Sequence, residues 1–448
     1  MSRLFGTDGV RGVANRDLTP ELAFSLGRAA AIVLGEEGRP TIVVGRDTRP
    51  SGPMLVAALA AGACSAGGDV HRLGIVPTPA VAFATVDRGA RAGAVISASH
   101  NPPEDNGIKF FSSNGMKLPD EVEDEIERVV READGPRPVG AEVGHIYDPV
   151  EELEAYVEHL VTCAEARLDG MRLVVDCANG AAYRLAPQAL RLLGAEVHAI
   201  NTEADGTSIN VGCGATHPEI VADAVRELGA DAGVAHDGDA DRAIFVDGEG
   251  RIVDGDQVLA ASAVAMKEDG RLAKDTVVST VMANLGFRRA MDEAGITTLE
   301  TPVGDRYVLE EMVRSGAVLG GEQSGHIIFL EDATTGDGLL TAVRFFSLAC
   351  HKGATVAELA DTMRRFPQVL ENVPVAHKDR LEAAEPVWDA VRGAEAALGD
   401  GGRILVRPSG TEQVVRVMVE AETEGDARRH ADAVAGAVRD ALGGSSAS

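Results

Sequence analysis

The 448-residue chain predicts an α/β protein: three homologous mixed-sheet α/β domains and a smaller C-terminal α+β domain around a central cleft. The first observation is internal repetition. Three times a short β-branched run enters a polar or Gly-rich turn and then a helix-like segment: Thr41-Ile-Val-Val-Gly-Arg-Asp-Thr-Arg49, Arg172-Leu-Val-Val-Asp-Cys-Ala-Asn-Gly180 and Asp275-Thr-Val-Val-Ser-Thr-Val-Met-Ala-Asn284. Such runs suit parallel strands buried on both faces. The second is that each unit proceeds through a helix ending in Gly to another strand, Gly68-Asp-Val-His-Arg-Leu73, Gly194-Ala-Glu-Val-His-Ala-Ile200 and Gly295-Ile-Thr-Thr-Leu-Glu300. The third is that this rhythm stops near Pro367.

A third strand completes each unit and carries its chemistry. The three read Ala94-Val-Ile-Ser-Ala-Ser-His-Asn-Pro102, Gly233-Val-Ala-His-Asp-Gly-Asp-Ala-Asp-Arg242 and Ala317-Val-Leu-Gly-Gly-Glu-Gln-Ser-Gly-His326. Each returns into another β run: Ile108-Lys-Phe-Phe111, Ala243-Ile-Phe-Val246 and Ile327-Ile-Phe-Leu330. Ligands of open α/β sheets bind beyond the carboxyl ends of strands, so the three loops are placed to share one site. The domains are drawn at 1–150, 151–255 and 256–367, with a fourth at 368–448. That fourth holds a helix-like stretch over 383–398, then Arg403-Ile-Leu-Val-Arg-Pro-Ser-Gly-Thr-Glu412, Val414-Val-Arg-Val-Met-Val419 and a last helix over 425–442. Residues 443–448 read as a disordered tail.

Charge narrows the partners. Lys and Arg number 42 against 70 Asp and Glu, a net −28 that opposes general binding to nucleic acid. Any small anion must be gathered by a local cluster of Arg or Lys. No window has the apolar length of a membrane span, and Met1-Ser-Arg-Leu-Phe begins without an apolar signal core. Cys64, Cys163, Cys177, Cys213 and Cys350 are odd in number and widely spaced, as reduced thiols of a cytoplasmic protein would be.

Asp237, Asp239 and Asp241 alternate, so an extended loop turns their carboxylates toward one hard cation such as Mg²⁺. An EF-hand would need Gly and Glu where Arg242 and Gly248 stand. A dehalogenase-like phosphatase would need Thr or Val at Asp241, and a plain acidic turn is the remaining alternative. Ser99 next to His100 is weak evidence for a hydrolase, since no G-x-S-x-G elbow is present. It gains weight from its place in the repeat, equivalent to the acidic loop. Phosphorylated, it would ligate the same cation, with His100 or Lys109 as proton carrier or positive partner. Glu322 and Ser324 suit sugar hydroxyls, while His326 reads equally as a structural hydrogen-bonder. Arg407, Ser409, Gly410, Thr411 and Arg416 form an anion nest with two guanidiniums, or else an ordinary Pro-Ser-Gly turn. Phe5-Gly-Thr-Asp-Gly-Val-Arg-Gly12, with Arg11, and Gly45-Arg-Asp-Thr-Arg49 carry further Arg beside Gly, either bracing the phosphoserine or structural.

With these motifs in order along the whole chain, the protein resembles the α-D-phosphohexomutases. The opening Phe5-Gly-Thr-Asp-Gly-Val-Arg-Gly12, the loop Gly214-Ala-Thr-His-Pro-Glu219 and Gln323 resemble members acting on glucosamine phosphates. The resemblance implies that phosphorylated Ser99 converts glucosamine 6-phosphate to glucosamine 1-phosphate through glucosamine 1,6-bisphosphate, with one Mg²⁺ per active site on Ser99, Asp237, Asp239 and Asp241. Arg242, His100, Lys109 and Arg11 would assist catalysis, Glu322 and Ser324 would hold the sugar, and the Arg407 loop with Arg416 the other phosphate. A mutase of glucose or mannose phosphates is the alternative. The implied partner is a small phosphosugar, not a membrane or nucleic acid, with a homodimer left open. The product would supply UDP-N-acetylglucosamine and cell-wall synthesis. One departure is Gln413, where the family usually has Pro.

Overall fold

The computed structural model describes residues 3–6, 8–35, 38–132, 135–148, 151–409 and 412–443. The three repeats share one sheet order. In the first, the strand Thr41–Arg46 pairs in parallel with Asp69–Ile75 on one side and Ala92–Ile96 on the other, and Asp105–Ser112 returns antiparallel beside the latter. In the second, Arg172–Asp176 lies between Glu196–Ile200 and Ala232–His236, with Ala243–Asp247 returning. In the third, Thr276–Thr280 lies between Thr297–Thr301 and Leu319–Gly321, with Ile327–Phe329 returning. The antiparallel return strand makes each sheet mixed, as expected from the sequence. Val10–Val13, Ile146–Tyr147 and Ile252–Val253 extend the edges and were not foreseen.

The β-branched runs are explained by two-sided burial. Ile42 and Val44 join a core with helices Pro20–Leu34 and Gly52–Ser65. On the other face, an added Cβ at Gly45 would strike Val81 of helix Thr78–Asp87, so that helix packs directly on the sheet. The first two helices cross at glycine: a Cβ on Gly27 would stand 2.0 Å from the Leu59 carbonyl, and one on Gly62 2.0 Å from that of Phe24.

The C-terminal sheet is antiparallel, in the order Gln368–Pro374, Val414–Ala421, Gly402–Pro408, covered by helices Glu385–Leu398 and Glu424–Leu442. Contacts divide the chain into two compact units: residues 1–282 with 296–362, and 283–295 with 363–448. Helix Leu285–Glu293, which lies between strands of the third repeat in sequence, groups with the second unit. Its cap Asn284 donates to the Phe366 carbonyl at 3.0 Å and accepts from the Phe366 N–H at 2.9 Å, while Glu420 accepts from Leu285 N and from Arg403 Nε. No helix among the described residues is long and apolar enough to cross a membrane. Of the tail expected to be disordered, Gly443 caps the last helix, its N–H donating to the Arg439 carbonyl, and residues 444–448 lie outside the described residues.

Gly27→Ala must push the two helices apart, at a cost of about 1–3 kcal/mol. A thermal melt should fall by several degrees, and activity per folded molecule should be retained because no site residue lies on that contact.

Candidate active site

The loops after the third strands meet within the first unit. The strand Ala92–Ile96 delivers Ser99, 4% exposed and with φ 50°. Its Oγ donates to Asp237 Oδ2 at 2.6 Å and lies 3.2 Å from His100 Nδ1. Asp237 follows the strand Ala232–His236 and is fully buried. One carboxylate oxygen from each of Asp237, Asp239 and Asp241 falls within 4.8 Å of the others. Thr78, at the start of its helix, holds the loop by donating Oγ1 to Asp239 Oδ2 at 2.6 Å and N–H to the Asp239 carbonyl at 2.9 Å.

Burial and mutual repulsion shape this trio. Burial, with Asp241 and Asp239 alongside, pushes the Asp237 carboxyl well above its usual range. Burial and then Asp239 push Asp241 up to about 8. Asp239 Oδ1 and Asp241 Oδ1 are buried and accept no hydrogen bond. An all-oxygen set with such unused lone pairs fits a hard divalent cation, and Mg²⁺ is of that class.

A cavity of about 280 Å³ opens on these groups. Ser99, His100, Lys109, Arg11 and Arg242 line it, as do Asp239, Asp241 and Glu322. Burial, with Arg242 and Arg11 nearby, lowers His100 to about 4, so its imidazole is neutral at pH 7. Lys109 behaves oppositely: burial would lower it, but Asp305 and Asp8 raise it above the ordinary range, and its Nζ pairs with Asp305 Oδ2 at 3.0 Å. Glu322 Oε1 accepts from Gly304 N at 3.0 Å, just before helix Asp305–Ser315. The Asp237 and Glu322 loops are stitched by an antiparallel bridge between Arg242 and His326 and by Ala243 N donating to the Gly325 carbonyl at 3.0 Å. His326 is buried with neither ring nitrogen hydrogen-bonded.

Two expected participants stand elsewhere. Ser324 does not line the cavity, and Gln323 turns its amide to Asp254 Oδ2 at 3.4 Å, the cap of helix Gly255–Glu268. The loop at Gly214 likewise does not line it; its N–H donates to Asp176 Oδ2. The structure adds Asp8, Asp305, Arg306 and Tyr307 to the lining. The stretch Thr301-Pro-Val-Gly-Asp-Arg-Tyr307, a strand end and Gly before a helix, was the overlooked signal.

In the second unit, Arg407 and Arg416 face each other across neighbouring strands. Like charges directly opposite repel. Burial, then Arg416, lowers the Arg407 guanidinium, a pairing that an anion would relieve. Ser409 is buried, its Oγ accepting from Glu412 N at 3.2 Å. Lys378, unforeseen, donates to the carbonyls of Ser409 and Glu412. Gln413 Nε2 donates to the Ala376 carbonyl at 3.0 Å, just past the end of the neighbouring strand Gln368–Pro374. Gly410 and Thr411 lie outside the described residues.

Four family models match in order: phosphoglucomutase/phosphomannomutase alpha/beta/alpha domain I over residues 2–137, domain II over 154–250, domain III over 254–366 and the C-terminal domain over 370–437. The chain belongs to the phosphoglucomutase/phosphomannomutase family. This phosphohexomutase is 56% identical to a phosphoglucosamine mutase of Frankia alni over 451 residues, 99% of each chain. It is 55% identical to one of Symbiobacterium thermophilum, over 99% of this chain and 100% of that relative. A solved phosphoglucomutase/phosphomannomutase family protein of Burkholderia thailandensis shares the fold with a TM-score of 0.83 at 28% identity, covering 98% of this chain and 97% of that one. The phosphohexomutase is thus an enzyme of the isomerase class, with a triad of Asp able to hold a metal.

Adding Mg²⁺ should raise the melting temperature, because a ligand at about 100 times its Kd stabilises the folded state by about 2.7 kcal/mol. Asp239→Asn should weaken that rise several-fold, as seen by a melt across a Mg²⁺ titration; an undiminished rise would place the metal elsewhere.

Proposed function

We propose that the protein is a phosphoglucosamine mutase, interconverting glucosamine 6-phosphate and glucosamine 1-phosphate through glucosamine 1,6-bisphosphate. The observation that carries the chemistry is the Ser99 hydroxyl held 2.6 Å from Asp237, inside a trio of buried carboxylates. The substrate rests on the relatives, both named phosphoglucosamine mutase and matched over essentially the whole chain. Neither Gln323 nor the Gly214 loop reaches the cavity, so neither supports it by contact.

Ser99 carries the phosphoryl group. Its Oγ–P bond breaks as the free sugar hydroxyl forms a new O–P bond; the hydroxyl loses its proton and Ser99 Oγ gains one, so the step conserves protons. His100, whose Nδ1 lies 3.2 Å from Oγ, is placed to hand the leaving oxygen that proton. Lys109 stays charged between Asp305 and Asp8 and supplies fixed positive potential, joined by Arg242 and Arg11. Asp237, Asp239 and Asp241, with the phosphorylated serine, would hold a single Mg²⁺, which when bound neutralises charge on the transferring phosphoryl. Glu322, which lines the cavity, accepts from sugar hydroxyls, and Ser324, in the same loop but outside the lining, would reach the sugar only if that loop shifts. Arg407, Ser409, Gly410, Thr411 and Arg416 grip the phosphate that is not transferred. After the bisphosphate turns over, its other phosphoryl returns to Ser99 by the reverse of the same step. The substrate is a small phosphosugar, and the enzyme works in the cytoplasm.

Ser99→Ala should abolish nearly all turnover without lowering the melting temperature appreciably. The active protein should weigh roughly 80 Da more than its sequence, the mass of a phosphoryl group. Among glucosamine, glucose and mannose phosphates, the first should have the highest kcat/KM; if it ranked last, the substrate assignment would fall. Release of one inorganic phosphate per substrate would instead mark a phosphatase.

Arg416→Gln should raise KM for both sugar phosphates more than it lowers kcat, since in each half-reaction the phosphate it grips is held alike in ground and transition states. Steady-state kinetics in both directions measure this.

A further inference from the structure

We infer that Arg49 and Asn210 are positioning residues that hold Ser99 in its reacting conformation by gripping its backbone and leaving its hydroxyl to the chemistry. The inference rests on the reading of Ser99 as the phosphoryl carrier. Ser99 has φ 50°, in the left-handed region that residues with a side chain rarely adopt. Such a conformation persists only where the surroundings over-determine it. Here its carbonyl receives two donors, Arg49 Nη2 at 2.9 Å and Asn210 Nδ2 at 2.8 Å.

Arg49 is fully buried, and its guanidinium is spent entirely on this loop and one carboxylate. Nε pairs with Asp47 Oδ2 at 2.8 Å, Nη2 also donates to the Asn101 carbonyl at 2.7 Å, and Nη1 donates to the carbonyls of Asp105, at 2.9 Å, and Pro102. Asp47 Oδ2 also accepts from Ser97 Oγ at 2.6 Å, and Ser97 Oγ in turn accepts the Ser99 N–H at 2.9 Å. The peptide groups on both sides of the Ser99 Cα are therefore fixed to one buried ion pair. None of these bonds uses the Ser99 Oγ, which donates to Asp237. The planar fork of Arg can reach four carbonyls at once, which a Lys ammonium cannot.

Asn210 comes from the neighbouring repeat, the one that carries the acidic loop. Its own N–H is tied to the Ala178 carbonyl at 3.0 Å, and its Nδ2 spans the carbonyls of Ser99 and Asn101. It sits against Gly238, inside the acidic loop: a Cβ there would come within 2.8 Å of Nδ2 and 2.6 Å of the Ser99 carbonyl. Asn210 thus sets the serine loop at a fixed distance from the carboxylates. A transfer that depends on in-line placement is sensitive to such spacing.

Asn210→Gly is the cleaner variant, because Gly keeps the positive φ of 61° and only the amide is lost. Single-turnover phosphorylation of Ser99 by glucosamine 1,6-bisphosphate, followed by intact mass, should slow about 10- to 100-fold. The steady-state kcat should fall by the same factor with KM changed by no more than about twofold, and the melting temperature should stay within a few degrees. Arg49→Lys, which keeps a charge for Asp47 but not the fork, should slow the same step at least as much. Wild-type phosphorylation rate in Asn210→Gly, or a loss that only follows the folded fraction, would overturn the inference. Wild-type protein that never gains the phosphoryl mass would instead overturn the carrier reading, and this inference with it.

Discussion

Three carboxylates packed within 4.8 Å of one another, two of them almost fully buried, are the constraint on which the site depends. Charges of one sign so close and so poorly solvated cannot all remain ionised without compensation. The protein supplies part of it. Ser99 Oγ and the Arg242 N–H donate to Asp237, Thr78 donates to Asp239, and Lys109 and Arg242 bring positive charge to Asp241. The oxygens that accept no hydrogen bond mark what a cation must complete. A phosphoryl group on Ser99 would add about two negative charges at the same point, which a cation would favour and the bare trio would repel.

The repeat explains how such a site is assembled from distant segments. Each unit places its third strand beside its first and turns back antiparallel, so the three chemically distinct loops leave equivalent positions. Side chains then lock the loops: Thr48 Oγ1 donates to the Asn179 carbonyl at 2.7 Å, Thr78 holds Asp239, and a backbone bridge joins Arg242 to His326. Sites built at the ends of strands inherit their rigidity. The C-terminal sheet follows another logic. There two arginines stand opposite each other, a local excess of positive charge within a chain of net −28.

The sequence made the repeats legible because a β-branched run buried on both faces and a polar loop behind it are local patterns. Ser99, the three Asp, Glu322 and the Arg407 turn were visible for the same reason. What was hidden depends on tertiary pairing. Asp305 matters because Lys109, 196 positions away, needs a counter-charge, and Thr78 because the acidic loop needs a donor 161 positions off. Helix Leu285–Glu293 reads locally as part of the third repeat, yet Asn284 and Glu420 tie it to the C-terminal sheet. The strand Gln368–Pro374 was missed because Glu371 interrupts its inward face between Val369 and Val373, exposed Leu370 lies on the other face, and it ends in Pro.

Gln323 lies next to Glu322 in sequence but does not line the cavity. Its amide faces Asp254, whose carboxylate also caps helix Gly255–Glu268, and the Gln323 carbonyl accepts from Gly255 N at 3.1 Å. A Cβ on Gly255 would lie 2.1 Å from the Glu322 carbonyl, so helix start and sugar loop are in direct backbone contact. A change at 323 would therefore act by moving Glu322, whose carboxylate is the group of that motif lining the cavity beside His326. Replacing a sugar hydroxyl by an amine exchanges a group that donates and accepts for one that, when protonated, only donates. A sugar seated in this cavity would meet Glu322 and Asp305, acceptors already engaged by Gly304 N–H and Lys109 respectively. Selectivity set in that way would depend on backbone placement and charge pairing rather than on one side chain of the loop.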